Sequence, residues 1–363
     1  MPAPKPSIMQ INPYVAGKSK AAGAQRIIKL SSNENPLGPS PKAIEAFKAQ
    51  AGNLHRYPDS GHAELREAIA GVYNLNATNL ICGNGSDELI GMVVQAYTQA
   101  GDEVLYPEHG FLMYKIYALS QGAVPVTAPE KDLCTDVDAL LAAVTPKTKI
   151  VFIANPNNPT GSYITKDELY RLRAGLRPDI LLAIDDAYAE YVTATDYSAG
   201  DEIAASTDNT ITLRTFSKIH GMPALRLGWA HAHASIIDVL NRIRGPFNVN
   251  SASIAAGIAA VQDIVYTAHS RDTNNAELAR VSASLSKHFT VYPSVTNFIM
   301  IELNSAENVT ACNQFLTERG LITREIGAYG LASKLRISIG TAEENDILIA
   351  ALNEFSAKKT AAA

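Results

Sequence analysis

Short apolar runs alternate with amphipathic, helix-like patterns through much of this chain. The runs that have the length of buried strands lie at 102–106, 123–127, 148–154, 180–184, 210–214 and 226–231. A helix between two strands of one sheet returns the chain to the same edge, so that the strands run parallel. The sequence therefore predicts an α/β fold, with a large domain whose mostly parallel sheet is flanked by helices.

Past Phe247 the pattern changes to helices, including a long one near 266–288. Shorter apolar runs interrupt them, near 297–302, 321–324 and 335–339. We interpret this part as a smaller α/β domain that the N-terminal segment completes. The predicted domains are 45–250 for the large one, and 1–44 with 251–363 for the small one and its N-terminal arm.

Polar loops follow two of the predicted strands. The run at 148–154 leads into Asn-Pro-Asn-Asn-Pro-Thr-Gly at 155–161, and the run at 180–184 leads into Asp-Asp-Ala-Tyr at 185–188. The carboxyl ends of parallel strands line the ligand crevice of open α/β sheets, where such loops can present amide and carboxylate groups. A plain turn at 155–161 and a helix cap at Asp185 or Asp186 remain alternatives.

A glycine turn at 83–88 separates an apolar run at 79–82 from a helical pattern that starts near Leu89. The free N–H groups at a helix N-terminus bind anions without a charged side chain. A dinucleotide-binding fingerprint is an alternative, but it requires a third glycine where Glu88 stands. An ordinary strand-to-helix turn also stays open.

The segment Thr-Phe-Ser-Lys at 215–218 sets Lys218 between hydroxyl groups, and Arg226 follows eight residues later. A pyridoxal phosphate site needs such a set, because the amine forms a Schiff base with the cofactor aldehyde while Ser217 and Arg226 hold its phosphate. Asp185 could pair with the cofactor's ring nitrogen, which makes the ring an electron sink. A Ser-Lys pair alone could equally be a surface lysine near a strand end.

Taken in order, the motifs at 157–161, 185–188 and 217–228 resemble those of fold-type I pyridoxal phosphate enzymes of the class I and II aminotransferase superfamily. Nearly the whole chain is covered. Within that group the chain resembles histidinol-phosphate aminotransferases, on the segments 13–19, 33–39, 56–59, 247–250 and 335–341. Asp186 stands where the family commonly has Glu, and Pro223-Ala224 stand where it has a glycine; neither departure removes a group that the chemistry needs.

The resemblance implies a role for each matched residue. Lys218 would form the internal aldimine and move the proton between the substrate Cα and the cofactor C4′, with Asp185 on the ring nitrogen. The phenolic oxygen and the ring would contact Asn158, Tyr188 and Phe111. The phosphate would be held by Gly85, Ser86, Asp87, Ser217 and Arg226.

The resemblance also implies a homodimer with shared active sites, in which Tyr57 reaches the cofactor phosphate of the neighbouring chain. Arg336 would bind the anionic group near the substrate Cα, because its planar fork suits carboxylate and phosphate. Arg324 and Tyr14 would line the pocket for the substrate's distal anion. A buried ion pair for Arg336, a surface salt bridge from Arg324 to Glu325 and a plain surface position for Tyr57 remain alternatives.

The activity so implied transfers an amino group from L-histidinol phosphate to 2-oxoglutarate in histidine biosynthesis. Imidazole acetol phosphate and L-glutamate are the products, and the route is ping-pong through pyridoxamine phosphate. An aromatic amino acid aminotransferase and a decarboxylase of a phosphorylated amino acid are alternatives. A regulator that only senses the cofactor would need a DNA-binding module, which the roughly thirty residues before Asn33 cannot house.

Composition agrees with a small-molecule enzyme. The net charge of −5, with no dense Lys/Arg run, argues against nucleic-acid binding. No uncharged apolar stretch is long enough for a membrane span. Cys82, Cys134 and Cys312 are too scattered for a disulfide framework or a metal site, which indicates a cytoplasmic location.

Overall fold

The computed structural model of the chain describes residues 2–13 and 26–362. Its α-helices are α1 (Pro41–Ala49), α2 (Ala63–Tyr73), α3 (Ser86–Tyr97), α4 (Leu112–Gln121), α5 (Val137–Ala142), α6 (Lys166–Gly175), α7 (Asp201–Ser206), α8 (Ala234–Ile243), α9 (Ser251–Gln262), α10 (Ile264–Leu285), α11 (Ala306–Glu318) and α12 (Ala342–Ala362). Its strands are β1 (Ile28–Lys29), β2 (Leu80–Gly83), β3 (Glu103–Pro107), β4 (Val124–Ala128), β5 (Glu130–Lys131), β6 (Cys134–Thr135), β7 (Thr148–Ala154), β8 (Leu181–Asp185), β9 (Thr210–Thr215), β10 (Gly228–Ala232), β11 (Val291–Tyr292), β12 (Phe298–Glu302), β13 (Leu321–Ile322), β14 (Arg324–Glu325) and β15 (Lys334–Ser338).

A seven-stranded sheet forms the centre of the fold, in the spatial order β2-β10-β9-β8-β7-β3-β4. In the described part of the chain, β10 runs antiparallel to both β2 and β9, and the other neighbouring pairs of this sheet are parallel. The mostly parallel α/β sheet predicted from the sequence is therefore confirmed. The predicted strand at 148–154 has the bounds of β7, and the bounds of the other predicted strands of this sheet differ from the observed ones by at most two residues at either end.

The inner strands of this sheet are buried on both faces. Along β7, Phe152 packs into one hydrophobic cluster, whereas Val151 and Ile153 pack into another on the opposite face. Because side chains alternate between the faces of a strand, a strand covered by helices on both sides has to be apolar throughout. This explains why the strands read as continuous apolar runs in the sequence, and it leaves their carboxyl ends free to form a site.

A second, antiparallel sheet has the order β11-β12-β15-β14 and packs against α10, α11 and α12. The two-residue strand β1 pairs in parallel with β13, so the chain just before residue 31 is attached to this second unit. The residues that follow β1 contact both units, since Asn33 hydrogen-bonds Ser338 of β15 and also Tyr188, which follows β8. The domain limits of 45–250 and of 1–44 with 251–363 stay a prediction.

Among residues 2–13 and 26–362, no single helix is long and apolar enough to cross a membrane. Helices α9 and α10 reach the required length and apolar content only as a pair, and they meet at a bend of 75°.

Candidate active site

A cavity of about 380 Å³ opens where the central strands end. Ala154, Asp185 and Thr215, the last residues of β7, β8 and β9, lie in its wall. Its other lining residues are Ser86, Asp87, Phe111, Met113, Pro156, Asn158, Ala187, Tyr188, Ser217, Lys218, Pro223 and Arg226. Small-molecule sites occupy roughly 300–1,000 Å³ and prefer this edge of an open sheet. The position and the volume both suit a cofactor of modest size.

Lys218 reaches into this cavity from the loop after β9. Its Nζ donates a hydrogen bond to the carbonyl oxygen of Ser32 at 3.2 Å and lies 5.6 Å from the centre of the Tyr188 ring. Burial, reinforced by the nearby Arg336 cation, lowers the pKa of Lys218 to about 7. A large share of this amine is therefore neutral near pH 7, which is the form that attacks a carbonyl or accepts a proton.

Asp185 closes the back of the cavity at the end of β8. Its Oδ2 accepts a hydrogen bond from the Tyr114 hydroxyl at 3.1 Å, and its Oδ1 accepts one from the backbone N–H of Ala187 at 3.3 Å. Burial raises the pKa of Asp185 to about 6, while these hydrogen bonds and Lys218 oppose the rise. A buried carboxylate with so few partners is suited to pairing with a cation that enters the cavity.

The N-terminus of α3 forms one end of the cavity. Ser40, Asp136, Thr165, Asn250 and Ser305 cap their helices with a side chain. At α3 the N-cap is Gly85, which offers no side-chain cap. The first N–H groups of this helix are thus available to an anion, and the positive end of the helix dipole favours one.

Arg226 completes this anion-binding end. Its Nη1 lies 3.4 Å from Ser217 Oγ and donates to the carbonyl oxygen of Pro223 at 3.1 Å. Gly85 has φ +86°, and a Cβ built there would lie 2.5 Å from Arg226 Nη2. Only glycine combines this backbone angle with such a close guanidinium. Gly85, Ser217 and Arg226, which the sequence predicted for one site, are brought together here.

Asp87, in the first turn of α3, carries an unsatisfied buried oxygen. Its Oδ2 accepts a hydrogen bond from the Tyr117 hydroxyl at 3.1 Å, while its Oδ1 is buried without a hydrogen-bond partner. Burial raises the pKa of Asp87, and the Tyr117 hydrogen bond and Arg226 oppose the rise. A buried polar atom without a partner at the wall of a cavity indicates that a bound group belongs there.

Phe111, Asn158 and Tyr188 form the side walls of the cavity. Phe111 occupies the N-cap position of α4, and its ring contacts the Tyr114 ring edge-on, with ring centres 5.9 Å apart. Tyr188 is buried, and its hydroxyl accepts a hydrogen bond from Asn33 Nδ2 at 2.8 Å. Asn158 Oδ1 accepts a hydrogen bond from Arg336 Nη1.

Two arginines face each other on the second sheet. Arg336 of β15 is directly opposite Arg324 of β14, so the two side chains share one face. Arg336 is buried; its Nη2 donates to the carbonyl oxygen of Ser31 at 3.0 Å, and its guanidinium lies 5.3 Å from the centre of the Phe298 ring. Glu325, the next residue after Arg324, accepts a hydrogen bond from Asn313 Nδ2 at 2.6 Å.

Tyr57 is not among the residues that line the cavity of its own chain. It is 82% exposed, and its ring stacks on Phe247 with centres 4.5 Å apart. Phe247 has φ +57°, an uncommon angle for a bulky residue. Tyr14, the remaining predicted site residue, lies outside the described residues.

The residues present fit pyridoxal phosphate. The uncapped start of α3, together with Ser217 and Arg226, suits a phosphate group. The partly neutral amine of Lys218 suits an aldehyde, and the buried carboxylate of Asp185 suits a protonated ring nitrogen. The glycine-only approach of Gly85 to Arg226 lies at the phosphate end. Among the residues that the structure describes, no cluster of three or more His, Cys, Asp or Glu side chains could hold a metal ion.

Three contacts of the site have no signal in the local sequence. Tyr114 hydrogen-bonds Asp185, Asn33 hydrogen-bonds Tyr188, and the Ser32 carbonyl contacts Lys218. Asn33 lies within the matched segment 33–39, and Tyr114 follows the predicted site residue Phe111 by three positions, so their positions were available but not their partners. Local pattern cannot identify a partner that is far away in the chain.

Comparisons with known proteins agree on one family. The model of the family "Aminotransferase class I and II" matches residues 25–352. The chain is 53% identical to a histidinol-phosphate aminotransferase of Paramagnetospirillum magneticum and 47% identical to that of Rhodospirillum centenum, in both cases over 98% of each chain. The crystal structure of histidinol-phosphate aminotransferase from Sinorhizobium meliloti in complex with pyridoxal 5′-phosphate is similar, with a TM-score of 0.90, 28% identity and 97% of each chain covered.

Proposed function

The chain belongs to the class I and II aminotransferase family, and from this premise we propose that it transfers an amino group from L-histidinol phosphate to 2-oxoglutarate. Imidazole acetol phosphate and L-glutamate are the products, by a ping-pong route. The observation that carries the proposal is the meeting of Lys218, Asp185 and an anion-binding helix start in one cavity. The substrate choice is supported by the names of relatives that are about half identical along nearly their whole length.

Pyridoxal phosphate is the cofactor, in keeping with the family and with the cofactor complex of the related structure. When bound, it withdraws electrons from the substrate Cα, so that the Cα–H bond becomes acidic and the amino group can be exchanged. Ser217, Arg226 and the start of α3, at Gly85, Ser86 and Asp87, would hold its phosphate. Phe111 would cover its ring.

Lys218 is the group that attaches the cofactor and moves the proton. Its pKa of about 7 keeps much of the amine neutral at neutral pH, so Nζ could accept the substrate Cα proton and then pass it on to a different carbon. The hydrogen bond to the Ser32 carbonyl holds the amine at the cavity wall. A lysine at its ordinary pKa would be almost fully protonated and could not serve as a base.

Asp185 keeps the ring nitrogen protonated from the back of the cavity. Its charged form is disfavoured by burial, and a cation beside it would relieve that cost. Tyr188 and Asn158 would contact the cofactor's phenolic oxygen. These three roles come from the matched motifs, and the burial of Asp185 and Tyr188 in the cavity wall supports them.

Arg336 and Arg324 are proposed to recognise the anionic substrates. They lie on one face of the second sheet, and Arg336 bonds to Asn158, a residue of the cavity wall. Arg336 would bind the anionic group near the substrate Cα, and Arg324 would bind the anion at the far end, either the phosphate of histidinol phosphate or the distal carboxylate of 2-oxoglutarate. Tyr14 remains a proposed contact to the same group.

The proposal includes a homodimer in which Tyr57 reaches the cofactor phosphate of the partner subunit. The exposure of Tyr57 and its absence from the lining of its own chain's cavity support this role. Other large apolar side chains are exposed as well, among them Leu54, Ile264 and Val265, each more than half exposed. A second copy of the chain would cover such side chains.

The cytoplasmic location is likewise part of the proposal, and the absence of a disulfide among the three cysteines is compatible with it.

Absorption spectra of the purified holoenzyme test the proposed reaction. L-Histidinol phosphate alone should abolish the cofactor's visible absorption band, and 2-oxoglutarate should then restore it, with one imidazole acetol phosphate and one glutamate formed per cycle. Histidinol phosphate has no α-carboxylate, so a decarboxylase cannot turn it over. No spectral response to it, together with CO₂ release from a phosphorylated amino acid, would replace the proposal with the decarboxylase alternative.

A further inference from the structure

Asn33 lies between two parts of the site and bonds to both. Its Nδ2 donates a hydrogen bond to the Tyr188 hydroxyl at 2.8 Å, and its Oδ1 accepts one from Ser338 Oγ at 3.0 Å. Its backbone N–H donates to the same Ser338 oxygen at 2.8 Å. Only 1% of Asn33 is exposed. A single buried side chain therefore links a tyrosine of the cavity wall to the strand that carries Arg336.

The backbone of Asn33 is fixed as well. Its carbonyl oxygen accepts a hydrogen bond from Asn297 Nδ2 at 2.9 Å, and its φ is +55°. Asparagine is among the few residues other than glycine that adopt this left-handed angle readily. Because hydrogen bonds hold both its backbone and its side chain, the side-chain amide of Asn33 is fixed in one orientation.

The hydrogen bond from Asn33 determines what the Tyr188 hydroxyl can do. A phenol that accepts an N–H keeps its own proton for a second acceptor, and accepting one hydrogen bond strengthens the one it donates. Tyr188 is buried and lines the cavity, with the Lys218 amine 5.6 Å from its ring centre. The Tyr188 hydroxyl can therefore donate a hydrogen bond to an acceptor atom that binds in the cavity.

The neighbours of Asn33 in the chain contact the site too. The Ser31 carbonyl accepts from Arg336 Nη2, and the Ser32 carbonyl accepts from Lys218 Nζ. Three consecutive residues therefore contact the proposed substrate-binding arginine, the lysine and, through Asn33, Tyr188. Of these three contacts, only that of Asn33 is made by a side chain, so a substitution can remove it alone.

We propose that Asn33 is a positioning residue that turns the phenolic proton of Tyr188 toward the cofactor's phenolic oxygen. It acts through Tyr188 and does not itself touch the reacting atoms. The inference rests on the proposed function, because Tyr188 meets the cofactor only if the cofactor binds in this cavity. Ser338 orients the Asn33 amide from the other side.

The test is a pH titration of the resting holoenzyme, in which the absorbance of the bound cofactor is measured. The midpoint is the pH at which the change in absorbance is half complete. An O–H that donates to the phenolic oxygen favours its negative charge, so losing that donor should raise the midpoint. We expect Asn33→Ala to raise it by about 0.5–1 pH unit, the shift equivalent to one net hydrogen bond. Asn33→Asp should raise it at least as much, because a carboxylate would draw the Tyr188 proton to itself. Arg336, Asp185 and Lys218, the charged groups that face Tyr188, are the same in all variants.

Two further variants separate positioning from a structural effect. Ser338→Ala removes the partner that orients Asn33 and leaves the bond from Asn33 to Tyr188 possible, so it should raise the midpoint by less than Asn33→Ala does. Tyr188→Phe should raise the midpoint more than Asn33→Ala does, and adding Asn33→Ala to it should produce no further shift. If Asn33→Ala fails to fold, Asn33→Asp has nearly the same shape and carries the test.

The outcomes distinguish the inference from the proposed function. A normal midpoint in the folded Asn33 variants, beside a raised one in Tyr188→Phe, would overturn the role of Asn33. An equal additional shift in the Tyr188→Phe background would also overturn it, because Asn33 would then act by another path. A normal midpoint in Tyr188→Phe itself would remove Tyr188 from the proposed function and the inference with it.

Discussion

The hydroxyl of Tyr114 donates a hydrogen bond to Oδ2 of Asp185 across 3.1 Å, and both side chains are buried beneath the cavity. The Tyr114 ring is also stacked on Phe152 of β7, with centres 4.5 Å apart and planes within 8°. The phenol is therefore held rigidly, and the carboxylate has one oxygen fixed before any ligand arrives. This contact moderates the effect of burial on Asp185.

Tyr114→Phe should raise the pKa of Asp185 further, because it removes a hydrogen bond to the charged form. The carboxylate would then be less ionised near neutral pH. We expect kcat to fall about tenfold, equivalent to one hydrogen bond to a charged group, and the acid limb of the pH–rate profile to move to higher pH. Tyr106→Phe is the matched control, since its ring is buried 5.9 Å from that of Tyr114. Equal losses in both variants would mean that packing, not the hydrogen bond, is responsible.

Asp185→Asn should separate stability from function. The folded-state pKa of Asp185, about 6, lies above its ordinary value of 3.8, so the free energy of unfolding falls as pH rises from about 4 to 6. Replacing the carboxylate should therefore stabilise the cofactor-free protein at pH 7, by on the order of 2–3 kcal/mol, and flatten this pH dependence. Deprotonation of the substrate should slow by ~100-fold or more. Denaturant unfolding at pH 4 and pH 7 measures the change in stability, and single-turnover kinetics measure the rate of substrate deprotonation. A normal single-turnover rate in Asp185→Asn would contradict the proposed role of Asp185.

Lys218 should react with the cofactor at a pH where other lysines do not. Because its pKa is about 7, attachment of pyridoxal phosphate to the cofactor-free protein should reach half its maximal rate near pH 7. Borohydride reduction followed by peptide mapping should find the adduct on Lys218. The exposed Lys48 serves as the internal comparison. Lys218→Ala should abolish turnover while the protein still folds. An adduct on another lysine, or a rate that keeps rising toward pH 10, would contradict the assignment.

Much of the fold and the cavity could be predicted because their signals are local. A buried parallel strand needs a continuous apolar run, and the loop at its end carries the functional residue, as β8 and Asp185 illustrate. Gly85 could be assigned to the site because a glycine turn at 83–88 separates an apolar run from a helical pattern. For these residues, identity and order along the chain were sufficient.

The side-chain pairs could not be predicted in the same way. Asn33 and Tyr188 are separated by 155 positions, and Tyr114 and Asp185 by 71. Nothing in a local pattern identifies such partners, because they depend on how distant elements pack. The proximity of Arg324 to Arg336 is similar, since it requires the register of β14 against β15. The partner of Glu325, Asn313, comes from α11 and was missed for the same reason.

Gly85→Ala should weaken cofactor binding through Arg226. The added Cβ would lie 2.5 Å from Arg226 Nη2, so the guanidinium has to leave its position at the phosphate end. We expect the Kd of the cofactor to rise at least tenfold, equivalent to about 1.4 kcal/mol. Gly101→Ala is the matched control: Gly101 has a similar φ of +90°, but a Cβ there meets nothing within 4 Å. If both variants retain the cofactor equally well, Arg226 does not depend on Gly85.

The active site should be shared between two subunits, with Tyr57 of one chain serving the cofactor phosphate of the other. Tyr57→Phe should then weaken cofactor retention by about 1–2 kcal/mol, the range for one hydrogen bond to a charged acceptor. Retention is measured by dialysis against a competing apoenzyme. Phe247→Leu tests the aromatic stack that holds Tyr57 in the single chain, and it should have a smaller effect.

Co-expression of two inactive variants gives the sharper test of this sharing. A severe change such as Tyr57→Asp, paired with Lys218→Ala, produces mixed dimers in which one site carries both lesions and the other carries neither. With random assortment, about a quarter of wild-type activity should return, although each homodimer is nearly inactive. Differently tagged chains allow the mixed dimer to be purified and its cofactor content to be counted at one per dimer. If verified mixed dimers stay inactive, Tyr57 serves its own chain or no cofactor at all, and the shared site has to be abandoned.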